Sequence, residues 1–174
     1  PVVVALHTIL ERPNPDERRV MEGLLRRAAR VIVMAERGRD ILQRVYGASP
    51  RQIVMIPHGV PDRDLVEPDT LKAQFGWEGR KVVLTFGLLA PNKGIETVIE
   101  ALPAVIERHP NLLYVVLGAT HPNLVAHQGE AYRDRLKALT EARGVAGNVA
   151  FIDAFVEHDE LLSYLQAADI YVTP

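Results

Sequence analysis

Val82-Val83-Leu84-Thr85-Phe86 is a short β-branched and apolar run; Gly87-Leu88-Leu89-Ala90-Pro91-Asn92-Lys93-Gly94 follows it, and Ile95-Glu96-Thr97-Val98-Ile99 then begins a stretch of helical period. Strand, glycine-bounded loop and amphipathic helix in that order are the first half of a parallel crossover unit, which makes the chain α/β. The spacing predicts a helix from Lys93 to Arg108 that buries Ile95, Val98, Ile99, Leu102, Val105 and Ile106. Pro103 should interrupt and bend it. Lys93 stands at the helix N-terminus, where unpaired backbone N–H groups and the positive end of the dipole favour an anion such as a phosphate or diphosphate. The glycines spell no phosphate-loop signature, so an ordinary turn with a solvated lysine stays open beside that reading.

The same alternation extends in both directions. Upstream, the strand Val2 to Leu6 leads to a helix capped by Asn14 with Pro15 in its first turn and Val20, Leu24, Leu25 and Ala28 on one face. Strands at Val31 to Met34 and Ile53 to Ile56 flank a helix marked by Ile41, Leu42 and Val45 and stopped by Gly47. From Pro57 to Pro68 the periodicity vanishes among Pro57, Gly59, Pro61 and Pro68, which places a domain junction there. Downstream come a short helix near Leu71 to Phe75, the strand Leu112 to Leu117, a loop, a helix through Tyr132, Leu136 and Leu139 that stops at Gly144, the strand Val149 to Ile152, and a helix through Leu161, Leu162 and Leu165. Glu157, Asp159 and Glu160 fit its first turn. Such a pattern predicts Rossmann-like parallel sheets covered on both faces.

Composition narrows the function classes. Of 174 residues, 20 are basic and 22 acidic, a formal charge of -2 that excludes a general nucleic-acid surface or polybasic anchor. No cysteine is present, which removes disulfides, zinc–thiolate sites and thiol nucleophiles and fits a reducing, cytoplasmic setting. No apolar run approaches the roughly 20 residues that cross a bilayer. Both ends, Pro1-Val2-Val3-Val4-Ala5-Leu6 and Asp169-Ile170-Tyr171-Val172-Thr173-Pro174, read as buried strands, so the expectation is a fragment cut at both ends from a longer protein.

In open parallel sheets ligands lie beyond the carboxyl ends of the strands. The loops to inspect are therefore His7 to Leu10, Gly87 to Gly94, Gly118 to Leu124 and Asp153 to Val156. Gly87 and Gly118 each follow a strand directly, either as plain turn residues or to let a ligand approach the backbone. His7 could donate to a phosphate or sugar or simply satisfy a carbonyl; His58 reads as a hinge or packing residue. His109, His121, His127 and His158 lack ligand spacing, so no metal is expected.

Pro57-His58-Gly59-Val60, Phe86-Gly87 with Lys93-Gly94, Val116-Leu117-Gly118 and Ala167-Ala168-Asp169-Ile170-Tyr171-Val172-Thr173-Pro174, in this order and spacing, resemble the second half of retaining family-four glycosyltransferases. Gly118-Ala119-Thr120-His121-Pro122 and Glu130-Ala131-Tyr132-Arg133 resemble a bacterial subgroup of them. The resemblance implies a partial GT-B fold: residues 1–58 close an acceptor-binding domain, 59–68 link, and 69–174 form an incomplete nucleotide-sugar-binding domain. It implies a nucleotide-diphosphate-sugar donor, an unknown acceptor, retention, and neither cofactor nor metal. Lys93 and His7 then stand at the catalytic positions, Lys93 neutralising the departing diphosphate and His7 facing the cleft. Gly87, Leu88, Lys93, Gly94, Gly118, Asp153, Phe155 and Val156 stand at the donor-binding ones.

Two departures from the family pattern stand out. Leu88 occupies the place where many members carry an arginine, and the family's glutamate pair follows the strand that ends here at Pro174. The isolated chain is accordingly expected to be inactive. The alternatives are a nonenzymatic nucleotide or sugar-phosphate module and a sugar-nucleotide epimerase, whose catalytic acids are not found. Sheets deprived of neighbours are expected to self-associate, and the parent protein could contact a membrane peripherally.

Overall fold

The computed structural model describes all residues from Pro1 to Pro174. The chain divides into two compact units, Pro1–Arg63 and Asp64–Pro174.

The first unit runs β1 (Val2–Leu6), α1 (Pro15–Arg27), β2 (Ala28–Val33), α2 (Glu36–Tyr46) and β3 (Ile53–Met55). Its strands pair in parallel in the order β1-β2-β3. Two right-handed crossovers that step in the same direction place both helices on one face. The core follows: Val4, Leu6, Val31, Val33, Ile53 and Met55 alternate along the strands and meet Met21, Leu25, Ile41 and Leu42 from the helices. The opposite face, with Val3, Ala5, Arg30 and Val54, is exposed. The expectation of a sheet covered on both faces therefore fails in this unit, and β1 is an exposed edge strand rather than a buried one, because successive residues point to opposite faces and only one is roofed. Val20 and Leu24, expected on the buried face of α1, are likewise exposed, and Val20 retains 61% of its accessible surface.

Asn14 starts α1 with a capping box: its side chain accepts from the Glu17 amide at 2.9 Å, and the Glu17 carboxylate accepts from the Asn14 amide at 2.7 Å. Asn14→Ala is expected to cost about 1 kcal/mol, read as faster amide exchange in the first turn of α1. Unchanged exchange there would deny the cap an energetic role.

The second unit runs α3 (Pro68–Phe75), β4 (Lys81–Phe86), α4 (Ile95–Ile106), β5 (Leu112–Leu117), α5 (Pro122–Gln128), α6 (Ala131–Ala142), β6 (Val149–Ile152), α7 (His158–Ala167) and β7 (Ile170–Tyr171). Its parallel sheet has the order β6-β5-β4-β7. Steps from β4 to β5 to β6 go one way and put α4 and α6 on one face; the return to β7 goes the other way and puts α7, with α3, on the opposite face. Central β5 shows both layers: Leu112, Tyr114 and Val116 pack with α4 and α6, whereas Leu113, Val115 and Leu117 pack with α3 and α7. Phe75, Trp77 and Tyr164 join α3 to α7, with Phe75 stacked on Tyr164 at 4.3 Å between ring centroids.

Four expectations change here. Residues 91–93 form a separate 3-10 turn, and α4 starts only at Ile95 because Gly94 takes the left-handed conformation (φ +63°) between them. That helix ends at Ile106 rather than Arg108, and it continues through Pro103. The last strand is a two-residue edge whose side chains are exposed, since it pairs only with β4.

Candidate functional site

At the carboxyl ends of β4, β5 and β6 a cavity of about 250 Å³ opens, lined by Gly87 and Leu88, by Gly118 and Ala119, and by Ala154, Phe155 and Val156. The backbone that frames it is tied together strand by strand. The Gly87 amide donates to Leu117 O at 3.0 Å, the Gly118 amide to Ile152 O at 2.9 Å and the Leu89 amide to Ala119 O at 2.9 Å, so the first residues of the loops after β4 and β5 prolong the sheet.

The two glycines have different physical reasons. Gly118 sits at φ +143°, and a Cβ there would collide with the carbonyl group of Gly87. Its missing side chain lets the two loops pack backbone to backbone. Gly87, at φ +128°, would point a Cβ into open space. Its missing side chain leaves room on the cavity wall.

Of the residues expected to bind a donor, Gly87, Leu88, Gly118, Phe155 and Val156 line this cavity, and Phe155 retains 83% of its surface. Lys93 and Gly94 lie on the same loop but outside the lining. Lys93 is exposed, closes the 3-10 turn, and its ammonium makes no hydrogen bond or ion pair. Gly94 offers α4 no side-chain cap; of the first amides, that of Thr97 donates to the Gly94 carbonyl at 2.9 Å. Asp153 also lies outside the lining; its carboxylate accepts from Arg133 Nη2 at 2.7 Å.

His7 belongs to the first unit. It lies after β1 in a separate cavity of about 210 Å³ with Met34, Arg37 and His58, and the two imidazoles stand 6.0 Å apart between centroids. Arg37 is already committed to Glu11 at 2.7 Å.

The sequence singles out Arg133 only within the Glu130-Ala131-Tyr132-Arg133 resemblance and assigns it no role. Only 2% exposed, it holds Glu130 through Nε at 3.1 Å and the Gly118 carbonyl through Nη2 at 2.8 Å. Glu130 is held below its ordinary carboxylate pKa, chiefly by the Thr120 hydroxyl; burial, the next largest effect, pushes it upward, and the hydrogen bond and charge of Arg133 with the charge of Lys137 pull it down again. The signal in the sequence was slight: an arginine beside Tyr132 on the buried side of a predicted helix.

A doubly covered parallel sheet with a glycine-walled cavity beyond its strand ends defines a Rossmann-like α/β protein. The chain belongs to the glycosyl transferases group 1 family, whose pattern matches residues 68–174. It is 31% identical over 139 residues to mannosylfructose-phosphate synthase of Agrobacterium fabrum, covering 76% of this chain and 30% of that protein. To D-inositol 3-phosphate glycosyltransferase of Corynebacterium aurimucosum it is 31% identical over 178 residues, covering 96% and 40%. Among solved structures, Anabaena Alr3699/HepE in complex with UDP superimposes with a TM-score of 0.77 at 21% identity, covering 99% of this chain and 46% of that one. The chain thus spans less than half the length of these relatives. No helix is long and apolar enough to cross a membrane.

Proposed function

We propose that the second unit binds the nucleotide-diphosphate sugar of a glycosyltransferase that transfers the sugar to an acceptor with retention. The observation that carries this is the cavity beyond β4, β5 and β6, walled by Gly87 and Gly118, within the portion that matches the family. The Anabaena protein, solved with UDP, supports a nucleoside diphosphate as its occupant. The open wall at Gly87 suits phosphates close to the backbone, and Phe155 at the rim offers a face to the base.

During transfer the bond from the sugar's anomeric carbon to the diphosphate oxygen breaks, the diphosphate leaves with the electron pair, and the acceptor hydroxyl oxygen bonds to that carbon while its proton passes to the departing diphosphate. Negative charge grows on the departing oxygens, so a cation nearby stabilises the transition state more than the ground state. Lys93 is the candidate: its ammonium is unengaged, and its long stem lets it reorient. Where a ligand draws it inward, the uncapped start of α4 adds to the same field. His7 belongs to the unit that would carry the acceptor.

Because the chain covers less than half of its relatives, a second reading is a nucleotide-binding module without turnover. Calorimetry with UDP, GDP and ADP, followed by a transfer assay with the matching nucleotide sugars, separates the two. Binding by the chain is expected, with Lys93→Ala weakening it about tenfold, and no turnover by the chain alone. Absence of heat with every nucleoside diphosphate would overturn both readings.

A further inference from the structure

We infer that Arg133 is the positioning residue of the nucleotide cavity: its guanidinium fixes the loop after β5 to the loop after β6. This rests on the cavity being the nucleotide site. One side chain in the first turn of α6 reaches Gly118, 15 residues earlier, at 2.8 Å and Asp153, 20 residues later, at 2.7 Å. Gly118 lines the cavity itself, and Asp153 immediately precedes the lining residues Ala154, Phe155 and Val156. Two of the three cavity walls therefore share one crosslink.

Stability alone would not choose this arrangement. A cation in the first turn opposes the helix dipole. The side chain is buried, yet its Nη1 has no hydrogen-bond partner, a cost that an apolar residue of similar volume would avoid. Its carboxylate partners are largely exposed, with side chains of Glu130 and Asp153 retaining 41% and 55% of their surface, so water could solvate them without it. What only a planar, multiply donating cation supplies is simultaneous contact with a carbonyl and two carboxylates in fixed directions. It also neutralises two acidic groups beside a site for an anion; left uncompensated, they would repel a diphosphate.

A lysine at this position keeps the charge, but in arginine Nη2 bridges both loops while Nε stays anchored on Glu130, and an ammonium has no second nitrogen to supply that anchor. The test compares wild type, Arg133→Lys and Arg133→Met in the 174-residue chain by two measurements. Hydrogen exchange on the ligand-free protein reads the clamp: both variants are expected to speed exchange at the loop amides of Gly118 and Leu89, which donate to Ile152 O and Ala119 O, with the amides of central β5 unchanged. UDP and GDP titrations read its consequence: about tenfold weaker binding in Arg133→Met and only partial recovery in Arg133→Lys. Unaltered loop exchange, or wild-type affinity in the lysine variant, overturns the inference. Wild-type protein that binds no nucleoside diphosphate removes the functional reading instead, while loop exchange still decides whether the clamp exists. If the methionine variant does not fold, the lysine variant carries both measurements.

Discussion

Gly118→Ala is expected to lower the melting midpoint of the second unit by about 10 °C or more, with a loss of roughly 3 kcal/mol. A methyl group at this position meets the Gly87 carbonyl, and φ +143° is strained for any residue with a Cβ. Relief requires the loops after β4 and β5 to separate, which breaks the hydrogen bond from the Gly87 amide to Leu117 O. Gly87→Ala provides the contrast. Its backbone is also left-handed at φ +128°, but its Cβ has free space, so only the conformational cost of about 1–2 kcal/mol applies. Its methyl occupies the cavity wall, however, and nucleotide binding should fall further than stability does. Thermal melts and calorimetry on the two variants check this; equal melting points for Gly118→Ala and wild type would deny the close approach of the loops.

Asp169→Ala is expected to cost the second unit about 3 kcal/mol, again read by thermal or denaturant unfolding. Lys72 on α3 is 3% exposed, and its ammonium lies 2.8 Å from the Asp169 carboxylate. The same carboxylate accepts from the Val82 amide at 2.7 Å, so one acid joins α3, β4 and the approach to β7. Its removal strands a buried cation, whose other acid, Asp69, stands farther off at 3.6 Å and is almost wholly exposed. Burial pushes the pKa of Asp169 upward, but the Lys72 bond, the Val82 amide and the charges of Lys72 and Lys81 outweigh it and hold the group below its ordinary 3.8. The sign follows by linkage. The stabilisation is fully present above the ordinary value and is lost as pH falls through the depressed one, so the gap between wild type and Asp169→Asn should narrow in acid below pH 3.8. A gap independent of pH across that range would show that the charge of Asp169 contributes nothing.

Much of this scaffold was legible from residues alone, for identifiable reasons. The strands β4 and β5 are long and apolar enough to be read directly, Asn14 marks a helix start through its capping side chain, and Gly47 and Gly144 mark helix ends by a left-handed conformation few other residues favour. The short helix α5 was read as a loop: its cap is His121, an unusual choice, and seven residues hold too few apolar positions to show a period. The consecutive valines of β1 and the alternating Val31 and Val33 of β2 do not reveal which face is roofed, because that depends on crossover direction. In the site, Gly87 and Gly118 were visible because glycine after a strand is conspicuous, yet their different roles emerge only when the loops meet in space. Arg133 was hidden for the same reason: an arginine in an amphipathic helix reads as solvated until three separated segments converge on it.

The junction between α1 and β2 contains no loop at all, since Arg27 ends the helix and Ala28 begins the strand. One extra residue there has no slack to vanish into. It would rotate the end of the helix by about 100° or transpose the inward and outward sides of β2, either of which ruins the packing of Leu25 on Val31 and Val33. By contrast, residues 57–67 carry neither helix nor strand and can lengthen at small entropic cost. A tag, fluorophore or inserted epitope belongs in that stretch, and a length change at residue 27 should be as damaging as a core mutation.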